Sequence, residues 1–438
     1  MRKAIFITLL VSILLMGSIS IAKKAPDKTI GINVVLNTEI TDVILTELGN
    51  YGKVLDLVYE INALTMRAKK NVLGTIQTLP FVAAAHPDAE RQGIPVDTVL
   101  VEDFADGLST WNLDAINVTD YGYANRVVEN DGSGVYVAVL DTGLLHNWRQ
   151  YFPDERIAAE YARCFGGGGG DNGWVSEQPN KWERDTNSHG THVTSTILGY
   201  NFYGTPINGV APNANVIPVK VLKQTGWSWS SVITRGIVYV ANLKAGPLAG
   251  SPVVINMSLS GPVLDPLEQA AIDYAIAQGV IIVASAGNHG LMGMGYPAAY
   301  EPVISVAAAG WVGEWMSSSW WYSNVVDPTI PGNFYITDFS SRALAGQDLD
   351  IAAPGSWVVG PYQLQMGQIS YYYLGGTSMA SPHVAGIVAL MAQKFPDLTT
   401  TGADFILETT ALYIPGWGPE AQGAGMVDAA AAALLTTL

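Results

Sequence analysis

The sequence predicts an α/β fold, a parallel sheet with helices on both faces, preceded by a small α+β unit. Three observations carry this. From Gly134 onward, short runs that are apolar at every position alternate with stretches of helical spacing, and such strand–helix units bury both faces of each strand only in a parallel sheet covered on both sides. Residues 28–92 show shorter runs in a different order. Residues 83–107 between them carry acids, glycine and proline without a period.

The chain opens with Arg2-Lys3, an apolar run over 4–16 and the small-residue site Ser20-Ile21-Ala22, the pattern of a secretory signal over 1–22. The run is short for a membrane span of about 20 residues. Export is expected, with no membrane association after the signal is removed and no nearby cysteine for a lipid anchor. In 28–92, residues 30–36, 54–61 and 64–68 read as strands, and 42–48 and 71–78 as helices. The aperiodic 83–107 reads as an exposed linker, so 23–100 form a leading unit and 101–438 the α/β domain. Strands are expected there at 135–140, 216–222, 253–257, 280–284 and 303–308. Helices are expected at 191–198, 232–243 and 267–277.

Of 438 residues, 49% are hydrophobic and 14% charged, which supports a large core and excludes a disordered chain. The net charge of −16 argues against nucleic acid or an anionic membrane as partner. Cys164 is the only cysteine, so no intramolecular disulfide forms and stability rests on packing.

Gly376-Thr377-Ser378-Met379-Ala380-Ser381-Pro382 leads into the apolar 387–392, which predicts a buried helix over 378–395 with Pro382 in or near its first turn. Ser378 then lies where unpaired N–H groups and the helix dipole favour a developing negative charge. Asp141 follows directly on the strand 135–140 and opens Asp141-Thr142-Gly143. One copy of that triplet in an α/β pattern does not suit an aspartic protease, which needs two aspartates sharing a proton. His189 and His192 open a helix without the glutamate and third ligand of a zinc motif, which leaves a general base as the better role for one of them.

With His189-Gly190-Thr191-His192-Val193 as a second signature, and with the order Asp141, His189, Ser378 that defines the family, the chain from about Trp111 to its end resembles the subtilisin-like serine proteases. Residues 209–212, 219–222 and 255–259 share the likeness, and 28–92 resembles the family's inhibitory propeptide more weakly. The resemblance implies that Asp141 orients His189, that His189 deprotonates Ser378, and that Ser378 attacks a peptide carbonyl to give an acyl-enzyme that water hydrolyses. It also implies an oxyanion hole from the Asn288 amide and the Ser378 N–H. A substrate groove would lie between Gly226-Trp227-Ser228 and Ser258-Leu259-Ser260, taking an extended polypeptide by strand addition. A secreted, monomeric endopeptidase made as a self-processed precursor is implied, with polypeptides as substrates and its own propeptide as inhibitor.

Several positions depart from the family pattern. Ser260 stands where glycine is usual, and Thr194-Ser195 replace Ala-Gly. No cofactor is required for the chemistry. Calcium often stabilises relatives, and Asp154 sits where a ligand would, but no ligand set can be assigned. Residues 166–170, all glycine, read as a flexible surface loop, and 311–337 as an insertion holding Trp311, Trp315, Trp320 and Trp321. Trp227 and Trp229 share one strand face; turned to the groove, they would form an aromatic wall for an apolar side chain at the fourth position before the cut. The rival readings are a catalytically silent binding module of the same fold, which would need a damaged site, and a lipase-type hydrolase, which needs Gly-x-Ser-x-Gly.

Overall fold

The computed structural model describes residues 28–101, 110–121, 125–169, 174–314 and 327–435. The signal segment, Gly170, Trp315, Trp320 and Trp321 lie outside them. The leading unit runs β1 (Thr29–Leu36), α1 (Asp42–Gly49), β2 (Gly52–Val58), β3 (Ala63–Lys69), α2 (Leu73–Gln77) and β4 (Val82–Pro87). Its four strands form an antiparallel sheet in the order β2-β3-β1-β4. Thr41 caps α1 through its side chain. Ile32, Val34, Leu48, Leu64, Met66 and Ile76 form a core separate from the larger one.

The expected linker is the main correction. Residues 83–101 hold β4, β5 (Glu90–Gln92) and β6 (Asp97–Val101), and Arg91 is fully buried. A short strand that pairs with partners belonging to other parts of the chain needs no alternation of its own, so pattern reading passes over it.

The larger unit begins at α3 (Trp111–Ala115) and continues through β7 (Tyr136–Asp141), β8 (Arg163–Gly167), β9 (Val175–Gln178), α4 (His189–Leu198), β10 (Tyr200–Phe202), β11 (Thr205–Ile207) and β12 (Asn215–Lys220). There follow β13 (Trp227–Trp229), α5 (Ser230–Ala245), β14 (Val253–Met257), α6 (Pro266–Ala277), β15 (Val280–Ser285), β16 (Ile304–Trp311), β17 (Phe334–Ile336), β18 (Ile351–Pro354), β19 (Val358–Pro361), β20 (Tyr371–Gly375) and α7 (Thr377–Lys394). The central sheet has the order β17-β16-β15-β14-β7-β12-β8-β9, with β18 also on β16. Pairing is parallel except for β9 and β17. Every residue of β14 and β15 is buried, which is why both read as unbroken apolar runs.

Two smaller expectations also change. Gly168 and Gly169 are buried rather than part of a surface loop, because the Trp229 ring lies over Gly169 and the Gly169 N–H donates to Asp88. Trp311 is a core residue stacked on Trp111 at 6.4 Å.

Buried α7 passes close to Val210: a Cβ on Gly386 would lie 2.7 Å from the Val210 Cβ. Gly386→Ala gains about 1 kcal/mol of helix propensity but overpacks a filled site, at a cost of about 1–3 kcal/mol. A net loss of about 1 kcal/mol is expected from these two terms. Urea unfolding of the variant, in a Ser378→Ala background that prevents self-digestion, measures it.

Candidate active site

Asp141 ends β7 at the carboxyl edge of the sheet, where a parallel sheet gathers functional groups. Its carboxylate is fully buried, and the two oxygens lie 2.8 and 2.9 Å from Nδ1 of His189. The Thr142 N–H donates to the same carboxylate at 2.6 Å. With the carboxylate as acceptor, Nδ1 carries the ring proton and Nε2 is left free to accept one.

His189 is the first residue of α4. The turn before it is built by Asp185, whose oxygens accept from the N–H groups of Asn187 (2.8 Å) and Ser188 (2.9 Å) and from the Thr142 hydroxyl (2.8 Å). These bonds hold Ser188 at φ 76°, a left-handed conformation uncommon for serine. Burial pushes the Asp185 carboxyl up to about 6, against the nearby Lys220 ammonium. Lys220 Nζ donates to the Thr142 and Leu222 carbonyls at 2.5 and 3.0 Å. Neither Asp185 nor Lys220 stands out in the sequence; only their place beside the two motifs would have marked them.

Ser378 is the second residue of α7 and 3% exposed. Its hydroxyl donates to the Ser258 carbonyl at 3.2 Å, and Nε2 of His189 is buried without a hydrogen-bond partner among the described residues. Ser258 Oγ in turn bonds the Ser378 carbonyl (2.8 Å) and the Ser381 hydroxyl (2.8 Å). Asn288 is fixed through its side-chain oxygen, which accepts from the Thr377 N–H and hydroxyl, both at 2.9 Å. Its amide nitrogen is thereby turned toward the start of α7, 3.5 Å from where a Cβ on Gly376 would lie.

Gly226, Trp227 and Ser228 stand opposite Ser258, Leu259 and Ser260 across a groove filled by the chain's own β5. Trp227, Ser228 and Trp229 pair antiparallel with Gln92, Arg91 and Glu90. Gln92 exchanges backbone bonds with Ser260 at 2.9 and 2.8 Å. Leu259 is buried, and the Ser260 side chain faces Gly287 and Gly295. The two indoles lie on the face opposite Arg91, so no aromatic wall surrounds that side chain; Trp227 is 41% exposed.

His192 and His383 are structural. His383 Nδ1 donates to the Met379 carbonyl at 2.8 Å and Nε2 accepts from Asn112 at 2.7 Å. His192 Nε2 donates to the Val358 carbonyl at 3.1 Å. Asp154 is an exposed carboxylate whose Oδ1 pairs with Arg149 Nε at 3.0 Å. Among the described residues the one group of three or more possible ligand side chains with ligand atoms within 4.8 Å of one another is Asp350, Asp404 and Glu408, far along the chain from Asp154.

Residues 132–431 match the model of the Subtilase family. Subtilisin DY of Bacillus licheniformis is 33% identical over 304 residues, 68% of this chain and 92% of that protein. Thermitase of Thermoactinomyces vulgaris is 32% identical over 288 residues, 66% of this chain and 85% of that protein. The structure of fervidolysin from Fervidobacterium pennivorans, a keratinolytic enzyme related to subtilisin, superposes with a TM-score of 0.68 at 25% identity, covering 93% of this chain and 61% of that one. Sphericase gives a TM-score of 0.56 at 29% identity over 73% of this chain and 97% of its own. The chain belongs to the subtilase family of serine proteases, with the subtilisin-like α/β fold.

Burial holds His192 down to about 3 and His383 down to about 4. Both rings stay neutral in the fold while the unfolded chain takes up protons below about pH 6.5. The unfolded state therefore binds more protons between about pH 6.5 and the folded values, and stability rises with pH across that window. Stability is expected to be flat above about pH 7 with respect to these groups and to fall as the pH drops from 6.5 toward 4. Urea midpoints of the Ser378→Ala protein at stepped pH, alone and with His383→Gln, test this; the added substitution should flatten the slope.

Proposed function

We propose that this protein is a secreted serine endopeptidase in which Asp141, His189 and Ser378 act as a triad, made as a precursor whose residues 23–100 form an inhibitory propeptide. The observation that carries the proposal is the buried Asp141–His189 contact at 2.8 Å at the sheet edge, taken with a serine at a helix start whose hydroxyl bonds the Ser258 carbonyl, and with Gly93 lying against both that carbonyl and the His189 ring. Export is supported by the signal pattern over 1–22.

Rotation about χ1 would take the Ser378 hydroxyl from the Ser258 carbonyl to Nε2 of His189. The ring removes the proton as Oγ attacks the peptide carbonyl, and Asp141 stabilises the imidazolium that forms. The oxyanion is met by the Asn288 amide and the Ser378 N–H. His189 then protonates the leaving amine, and water repeats the sequence on the acyl-enzyme. Seating of β5 by backbone bonds supports strand addition as the mode of substrate binding, with broad tolerance of sequence at most positions. The same seating supports the propeptide reading, since 90–93 occupies the groove in the uncut chain. A catalytically silent module is disfavoured because Asp141, His189, Ser378 and Asn288 are all present with the contacts described above.

Ser378→Ala is expected to accumulate as an uncut precursor without peptidase activity, whereas the wild type shortens to a product beginning between Gly93 and Val96. Immunoblotting and amino-terminal sequencing test both statements; a shortened Ser378→Ala product in purified material would assign the cut to another enzyme.

Asn288→Leu should lower kcat by about 10²–10³ with little change in KM, the size already known for the oxyanion asparagine of this enzyme family. Steady-state kinetics on a peptide substrate measures it, and an unchanged kcat would reduce Asn288 to a turn residue.

A further inference from the structure

One side chain of β5 enters the protein. Strand alternation puts Glu90 and Gln92 on the face of the two indoles and Arg91 on the opposite face with Ser228. Arg91 and Glu268, in the first turn of α6, have side-chain exposures of 0% and 1%. Nε of Arg91 donates to both Glu268 oxygens at 3.1 Å, and Nη2 donates to Oε2 as well. Nη2 also donates to the Val263 carbonyl at 3.1 Å, and Nη1 to the Glu90 carbonyl at 2.8 Å. Acceptors set around a planar fork recognise a guanidinium rather than any positive charge. Asp265 adds a second carboxylate nearby.

The register of β5 follows from its neighbours. The Gly93 N–H donates to the Gly226 carbonyl at 2.9 Å, and a Cβ on Gly93 would lie 3.2 Å from Cε1 of His189. The Val96 N–H donates at 2.6 Å to the carbonyl of Gly375, three residues before Ser378. The chain thus crosses Ser378 between Gly93 and Val96, with the Ile94–Pro95 bond at the centre. Counting Ile94 as the first residue before the bond, Arg91 is the fourth.

We propose that Glu268 is a specificity-determining residue and that the pocket filled by Arg91 is a subsite selecting arginine at the fourth position before the bond cut. This rests on reading the walls around β5 as the substrate groove. When Arg91 leaves with the propeptide, the Glu268 carboxylate and the Val263 carbonyl lose their partner in a pocket shaped for it. A substrate arginine restores every bond except the one to its own chain, which it brings with it. Lysine restores the charge without the fork. Leucine leaves a shielded carboxylate uncompensated, the costly half of a broken ion pair. The subsite is therefore acidic and not the apolar wall that the tryptophans suggested.

The test uses the matured full-length protein and quenched peptides that differ only at this position: arginine, lysine, leucine or glutamate. Arginine should exceed leucine in kcat/KM by about 30-fold or more, the range for truncating one partner of a buried charge pair, with lysine between and glutamate lowest. Glu268→Gln should reduce the arginine-to-leucine ratio to a few-fold, and Glu268→Asp should restore part of it. Should Glu268→Gln fail to mature, the wild-type series alone decides: leucine equal to or above arginine overturns the proposal. Retention of the full arginine preference in Glu268→Gln overturns it too. Casein hydrolysis by the same wild-type sample separates the two levels: hydrolysis without arginine preference removes this inference alone, and no hydrolysis removes the peptidase reading with it.

Discussion

A carboxylate buried without a counterpart would shift or unfold its surroundings, and the site depends on the way Asp141 avoids this. Parallel pairing of β7 with β12 and β14 brings Asp141 to the sheet edge, where it accepts from the Thr142 N–H and the His189 ring. The Thr142 hydroxyl then bonds Asp185, and Asp185 shapes the turn that starts α4 at His189. Lys220, the last residue of β12, closes the loop by donating to the Thr142 carbonyl. Each group that orients the histidine is thus held by the next, and the ring is fixed before any substrate arrives.

Shared buried carboxylates also join the leading unit to the rest. Asn33 on β1 donates to Asp88 at 3.1 Å and to Asp265 at 2.8 Å, and its side-chain oxygen accepts from Thr65 at 2.8 Å. Asp88 accepts the Ser231 N–H at 3.0 Å at the start of α5, while Asp265 caps α6 through the Leu267 N–H at 3.0 Å. The start of α5 is therefore satisfied in part by a carboxylate of the leading segment, a favourable place for negative charge, whereas the start of α6 is satisfied by Asp265, which Asn33 of that segment contacts. Burial and the neighbouring Asp265 both raise the Asp88 carboxyl, so the contact that seats the segment also carries an electrostatic cost.

Much of this was legible in the sequence, and the failures have physical causes. Strand β14 was read to the residue because both its faces are buried and it carries an unbroken apolar run. The starts of α4 and α7 followed from motifs in which residue order itself encodes the chemistry. Residues 90–101 are not legible as strands because β5 and β6 take their partners from β13, Ser260 and β20, so nothing local marks them. Glu268 went unseen because an acid just after proline in a first helical turn is already explained by the dipole. Only the fold brings it to Arg91, 177 residues away in sequence. Trp227 and Trp229 do share a strand face, but a period of two does not say which side faces the groove.

The central claim is that one serine, activated by the Asp141–His189 pair, performs the chemistry. Peptide mapping by mass spectrometry after reaction with a serine-directed fluorophosphonate tests it most directly. A single adduct is expected, on Ser378, whose rate of formation drops by about 10³ or more when His189 is replaced by alanine. An adduct on another serine, or one on Ser378 that forms equally fast without His189, would contradict it.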